Sequence, residues 1–259
     1  MKNRWFNISV LIILLALGGG MSSALSGKES TDTVASKDPE DVTHITETTL
    51  ISELDSLADD DSDRYTHLTE KDFEIVAKEL DVEVAAIKAV VEIEAGKAMK
   101  GFWAPGVPVI NYDGTMYAKY KNKVESTAGA KGEKVPDGLS GHALKEWTLL
   151  INMRKKNAQG ANMATFWGMF QIGGFNYKRC GCESVDEFVK RMSYSELEQL
   201  QLFAVFITEC GMVESLRKKD WATFARKYNG KSYARRGYHT RMAKAYAKFS
   251  KEKPKETEK

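Results

Sequence analysis

The chain has 259 residues, of which 42% are hydrophobic and 29% charged, with a formal net charge of +2. That length and balance suit one globular domain with extra segments and argue against two full domains. The charge is unevenly spread, roughly −9 over residues 25–64 and roughly +9 over residues 65–259, which directs the latter towards an anionic partner such as nucleic acid, anionic lipid or cell-wall polymer.

Residues 1–24 read as an export signal. Lys2 and Arg4 give a positive start, Phe6 to Leu17 an apolar stretch, and Ser22-Ser23-Ala24 a small-residue cleavage site. The plain alternative is an uncleaved anchor, although the stretch is short for a bilayer span, and the absence of a following Cys argues against a lipoprotein. Export to the periplasm or the medium removes most of the case for nucleic acid, and no stable membrane insertion is expected once the signal is cut. Residues 25–64 are polar, end in Asp59-Asp60-Asp61-Ser62-Asp63, and carry too little apolar surface to order themselves. They read as an acidic tether.

A domain over 65–250 follows, then a charged tail over 251–259. Thr69 and Asp72 resemble a capping box for a short amphipathic helix bearing Phe73, Ile75, Val76 and Leu80. Asp81 is placed to cap a second helix, which Gly96 ends. On that helix Val84, Ile87 and Val91 form one buried stripe, and the next step of three reaches Glu94. Glu92 falls on a different stripe with Ala85 and Lys88, where Lys88 and Glu92 read as a solvated i,i+4 pair. From Pro105 to Tyr120 short apolar runs flank Asp113-Gly114, a hairpin signal. Residues 121–141, rich in Gly, Lys and Ser, read as a long loop. Helices are then expected over His142–Lys156, Val185–Met192, Glu196–Cys210, Met212–Lys218, Trp221–Tyr228 and Arg241–Phe249, with an apolar turn at Phe166–Phe175 and a break at Asn229-Gly230.

Cys180, Cys182 and Cys210 are the only cysteines. A bridge across Gly181 alone would be strained, so Cys210 with either partner is the expected pair. The histidines His44, His67, His142 and His239 are scattered, and the Cys-Gly-Cys spacing is wrong for zinc, so neither metal nor cofactor is expected.

A carboxylate on an apolar stripe has two readings. Glu94 is either a buried group satisfied locally, or an acid whose pKa burial raises until it can protonate a leaving oxygen. The sequence also carries a resemblance. The strings AVVEIEAG (89–96), GFWAPGVPVINYD (101–113), FWGMFQIGGFNYKRCG (166–181), SELEQLQLFAVFI (195–207) and DWATFARKYNGKSYA (220–234) resemble, in this order, the N-acetylmuramidase family of phage endolysins and bacterial cell-wall hydrolases. The resemblance implies a mainly helical, lysozyme-like fold with one small hairpin beside the catalytic helix. It implies hydrolysis of the β-1,4 bond between N-acetylmuramic acid and N-acetylglucosamine in peptidoglycan; a monomer is expected. It also places the family's catalytic glutamate at Glu94.

Where the family has a Phe-Glu pair, this chain has Tyr112-Asp113, a shorter carboxylate. Asp113 reads either as a turn residue or as a group that orients water across the bond from Glu94. Gly168-Met169-Phe170-Gln171-Ile172 is similar to the Gly-aromatic-Gln pattern of the wider superfamily, which makes Gln171 a cleft residue and Phe170 and Ile172 core. Tyr228-Asn229-Gly230 resembles its aromatic-Asn-Gly turn and adds Tyr228 and Asn229 as substrate contacts. Trp103, Tyr233 and Tyr238 are candidate stacking platforms for sugar rings, and Arg235 and Arg236 candidate contacts for acidic wall groups. Two alternatives stand beside this reading: a lytic transglycosylase using the same acid, and a non-catalytic glycan-binding protein on the same fold.

Overall fold

Thr69 and Asp72 form the expected capping box, Asp72 N–H to Thr69 Oγ1 and Thr69 N–H to Asp72 Oδ2, and start α1 (Glu70–Leu80). Phe73, Val76 and Ala77 are buried, whereas Ile75, expected on the apolar face, is 41% exposed. Asp81 does not open the next helix. It closes α1 in the left-handed region at φ 52°, and Glu83 begins α2 (Val84–Ala95) without a side-chain cap. The computed structural model describes residues 64–124, 127, 129 and 132–252. The expected signal over 1–24, the tether up to residue 63 and the tail from residue 253 lie outside the described residues. Arg64, placed in the tether by composition, stacks its guanidinium over Tyr65 and Tyr194, 5.2 and 6.0 Å from the ring centroids.

After α2 the chain makes a hairpin, β1 (Phe102–Ala104) against β2 (Val107–Pro108), turning at Pro105-Gly106. β3 (Ile110–Tyr112) then leaves it to pair antiparallel with β4 (Thr165–Trp167), which pairs with β5 (Ile172–Gly173). Asp113-Gly114 is therefore not a hairpin turn. Asp113 N-caps α3 (Gly114–Tyr120), its Oδ1 accepting from Thr115 and Met116 N–H at 2.7 and 3.0 Å. An acidic residue before a glycine serves either purpose. Here the partner of β3 lies far along the chain and no second strand follows the turn.

The rest is helical: α4 (Gly141–Arg154), α5 (Ala158–Met163), a 3-10 segment (Gly174–Cys180), α6 (Val185–Met192), α7 (Glu196–Glu209), α8 (Val213–Arg217), α9 (Trp221–Asn229) and α10 (Tyr238–Phe249). Ser184, Ser195 and Asp220 cap α6, α7 and α9 by accepting backbone N–H bonds three residues on. The molecule is thus mainly α with small antiparallel sheets, as expected. α7 runs through the core with Leu200, Leu202, Phe203 and Ile207 fully covered, and Phe170 stacks on Phe203 at 4.2 Å.

α2 packs against both α1 and α10. That arrangement covers the stripe expected to be wet. Lys88 pairs with Glu70 of α1 at 2.5 Å, and Glu92, with its side chain 14% exposed, takes Lys248 of α10 at 2.6 Å. Among the described residues no helix is long and apolar enough to cross a membrane.

Candidate active site

Glu94 lies in the last turn of α2, on the stripe of Ile87 and Val91, both fully buried. Gly230, at φ 75°, ends α9 so that Asn229 turns towards it, and Asn229 Nδ2 donates to Glu94 Oε1 at 3.0 Å. Burial raises the Glu94 pKa from 4.5 to about 7. The Asn229 bond and the charge of Arg241 on α10 pull the other way and do not cancel it. At neutral pH a substantial share of Glu94 therefore holds its proton.

Tyr228 stands next to this group. Its hydroxyl donates to Phe170 O at 2.6 Å, and its ring stacks on Phe224 at 5.7 Å. Burial, then the Glu94 charge, pushes the phenol well above its ordinary pKa, so it stays a neutral donor. The bond ties the end of α9 to the Gly168–Gln171 turn.

Gln171 sits in that turn at φ 50°, a left-handed conformation that costs a non-glycine residue about 1 kcal/mol or more. Its Nε2 donates to Gly168 O at 2.8 Å, which orients the amide with Oε1 outward to accept from Asn111 Nδ2. Asn111 Oδ1 in turn meets His142 Nε2 at 3.0 Å, so that nitrogen carries the hydrogen. His142 Nδ1 lies 3.6 Å from Glu146, and the ring of Trp103 meets His142 edge-on at 5.9 Å. Trp103 and Gln171 thus belong to one connected set. Asp113 follows Asn111 by two residues in extended backbone (φ −121°, ψ 107°), directly after the end of β3.

The structure therefore joins Glu94, Tyr228 and Asn229 in one set and Trp103 and Gln171 in another, linked through Phe170. Tyr233 is half-buried, donates its N–H to Gly230 O at 3.1 Å and lies edge-on to His239 at 5.3 Å. Tyr238 carries Arg241 over its ring, and Arg235 and Arg236 are exposed.

A family model described as N-acetylmuramidase matches residues 83–250, well over half of the chain. The chain belongs to the N-acetylmuramidase family. It is a glycoside hydrolase of peptidoglycan. Among solved structures, the crystal structure of Burkholderia AP3 phage endolysin is similar, with 36% identity over 71% of each chain and a TM-score of 0.57. No curated protein matches the sequence.

In this muramidase the side chain that ties the Gly168–Gln171 turn to the start of the β1–β2 hairpin and the end of α6 is one that the residue pattern had not singled out. Gln199, fully buried on α7, accepts from Met169 N–H at 2.8 Å and donates to Met192 O and Gly101 O at 2.8 and 3.3 Å. Gly168 is required beside it: its φ is 69°, and a Cβ there would lie 2.7 Å from the Gln199 amide. Gln199 was findable, because it stands one turn before Leu202 and Phe203 on an apolar stripe, the signal that selected Glu94. Asn111 and His142 left no such trace, since their partners come from distant segments.

The bridge expected at Cys210 is not formed. Cys180, Cys182 and Cys210 are free thiols, and burial pushes Cys182 up to about 11 and Cys180 further. They pack as small apolar side chains. Among the described residues no group of three His, Cys, Asp or Glu is placed to hold a metal ion.

Proposed function

We propose that the enzyme cleaves the β-1,4 bond between N-acetylmuramic acid and N-acetylglucosamine, with Glu94 as the general acid. The observation that carries this reading is the Glu94 carboxyl itself, withdrawn from water, raised to about 7 and steadied by a single amide donor from Asn229. A protonated carboxyl in such a setting donates to the leaving glycosidic oxygen as the bond breaks and oxocarbenium character develops. Gln171, Asn229 and the Trp103 face supply the polar and stacking contacts that orient an N-acetylated sugar, with Tyr228 buttressing the turn. Tyr233, which follows the Asn229-Gly230 turn, is a further stacking contact in this reading.

The second carboxylate is Asp113. Both bonds of its helix cap fall on Oδ1, so the cap does not consume Oδ2. Oδ2 is left to orient a water or to steady positive charge on the sugar. The protein acts as an exported monomer, without cofactor or membrane insertion. Mass spectrometry of muropeptides released from purified peptidoglycan tests the reading: reducing muramic acid ends are expected. Anhydro ends as the main product would replace hydrolysis by transglycosylation, and no cleavage would leave only glycan binding.

A further inference from the structure

A cleft of about 650 Å3 opens beside the site, a volume typical of ligand pockets. It shares Gln171 and Tyr228 with the site and extends away from them along the 3-10 segment and the end of α7. Its wall carries three charges, Arg179, Lys227 and Glu209.

The fold uses little of that charge. Arg179 is exposed at the end of the 3-10 segment, and none of the ion pairs among the described residues includes it. Lys227 Nζ donates to Gly211 O at 2.6 Å, which fixes the ammonium on the rim and leaves two of its three hydrogens free. Glu209 is the last residue of α7, where the helix dipole disfavours a carboxylate, and no basic residue in that turn offsets it. The three charges are not explained by the sugar backbone. Where the lactyl carboxyl of muramic acid is amide-linked to its peptide, the glycan strand is neutral and offers hydroxyl and acetamido groups only. The negative charge of the polymer is on its stem peptides, whose carboxylates outnumber their free amines. Two cations and one carboxylate match that balance.

We propose that this cleft binds the stem peptide of peptidoglycan, with Arg179 and Lys227 receiving its carboxylates while the glycan lies along Gln171 and Tyr228. The inference rests on the muramidase reading above and adds a specificity to it. A guanidinium takes a carboxylate through two parallel N–H bonds, whereas the ammonium supplies a point charge.

The test compares two substrates with one glycan: purified peptidoglycan, and the same material with its stem carboxylates converted to amides by carbodiimide and ammonia. For the full chain, kcat/KM on the native material should exceed that on the amidated material about fivefold, the upper end for an exposed charge pair. The preference should shrink at high salt, where screening shortens the reach of the charges. Arg179→Gln should lower the rate on native material and leave the rate on amidated material unchanged, and Arg179→Lys should restore part of the preference. A purely structural role for Arg179 would lower both rates alike. Equal rates of the wild type on both substrates, or equal loss in Arg179→Gln, would overturn the inference while leaving the muramidase reading intact. Absence of reducing muramic ends from both substrates would overturn that reading instead.

Discussion

Two glutamates sit on apolar stripes at helix ends, Glu94 closing α2 and Glu196 opening α7, and their surroundings differ in donor supply. Glu196 is 1% exposed and accepts Gly101 N–H at 2.8 Å, Leu68 N–H at 3.0 Å and a contact from His67 Nδ1 at 3.2 Å. Glu94 has one amide donor, Asn229, at 3.0 Å. A carboxylate given donors from separate segments is a framework element, because its bonds hold those segments together. One that is desolvated and given a single donor keeps its proton and has something to release. Burial alone does not separate the two roles; the donors do.

The largest expected effect is at Glu94. Glu94→Gln keeps shape and the Asn229 contact but has no acidic proton, so kcat/KM on peptidoglycan should fall on the order of a hundredfold or more with an unchanged circular dichroism spectrum. In the wild type, kcat/KM should decline as pH rises through about 7, where Glu94 ionises. Full activity in the variant would remove the acid from the mechanism.

Asp113→Asn comes next. Asn caps a helix about as well as Asp, so the melting temperature should hold while turnover drops by about tenfold or more, separating charge from cap. Loss of stability without loss of turnover per folded molecule would make Asp113 a cap alone.

Glu196→Gln should do the reverse of Glu94→Gln. It leaves a backbone N–H facing a donor, so chemical denaturation should show a loss of about 1–3 kcal/mol, with activity per folded molecule little changed. An unshifted denaturation midpoint would break the contrast between the two glutamates.

The contrast also has a pH signature. A carboxyl raised in the folded state binds its proton more tightly there, so its contribution is complete below about 4.5 and is lost as pH rises to about 7. Glu94→Gln should therefore gain stability relative to wild type between pH 5 and 8, on the order of 3 kcal/mol at the upper end. Urea midpoints at the two pH values check it, and a constant difference would contradict the burial of Glu94.

Glu92→Gln is the smallest. It loses the Lys248 pair on the α10 side, about 0.2–1 kcal/mol, and should cleave peptidoglycan at close to the wild-type rate. Equal losses in Glu92→Gln and Glu94→Gln would mean that the stripe assignment of α2 is wrong.

Local signals carried much of this molecule. Periodicity and caps placed α6 at Val185–Met192 and brought α9 within one residue of its observed end. The same periodicity separated Glu94 from Glu92, because two residues on a helix differ by about 200° in direction. These quantities are set within a turn or two of chain, so a sequence displays them directly.

What the tertiary structure decided were partners. Asp113 became a helix cap because β3 pairs with β4, more than fifty residues on, rather than with a neighbour. Glu92 left solvent because α10 returns across α2, and Glu94 met its donor in Asn229 from the far end of the domain. A hydrogen bond joins groups about 3 Å apart in space whatever their separation in sequence. The sequence therefore determined which side chains lie on which face of which helix, and the packing of distant helices determined which carboxyl was buried and raised to about 7.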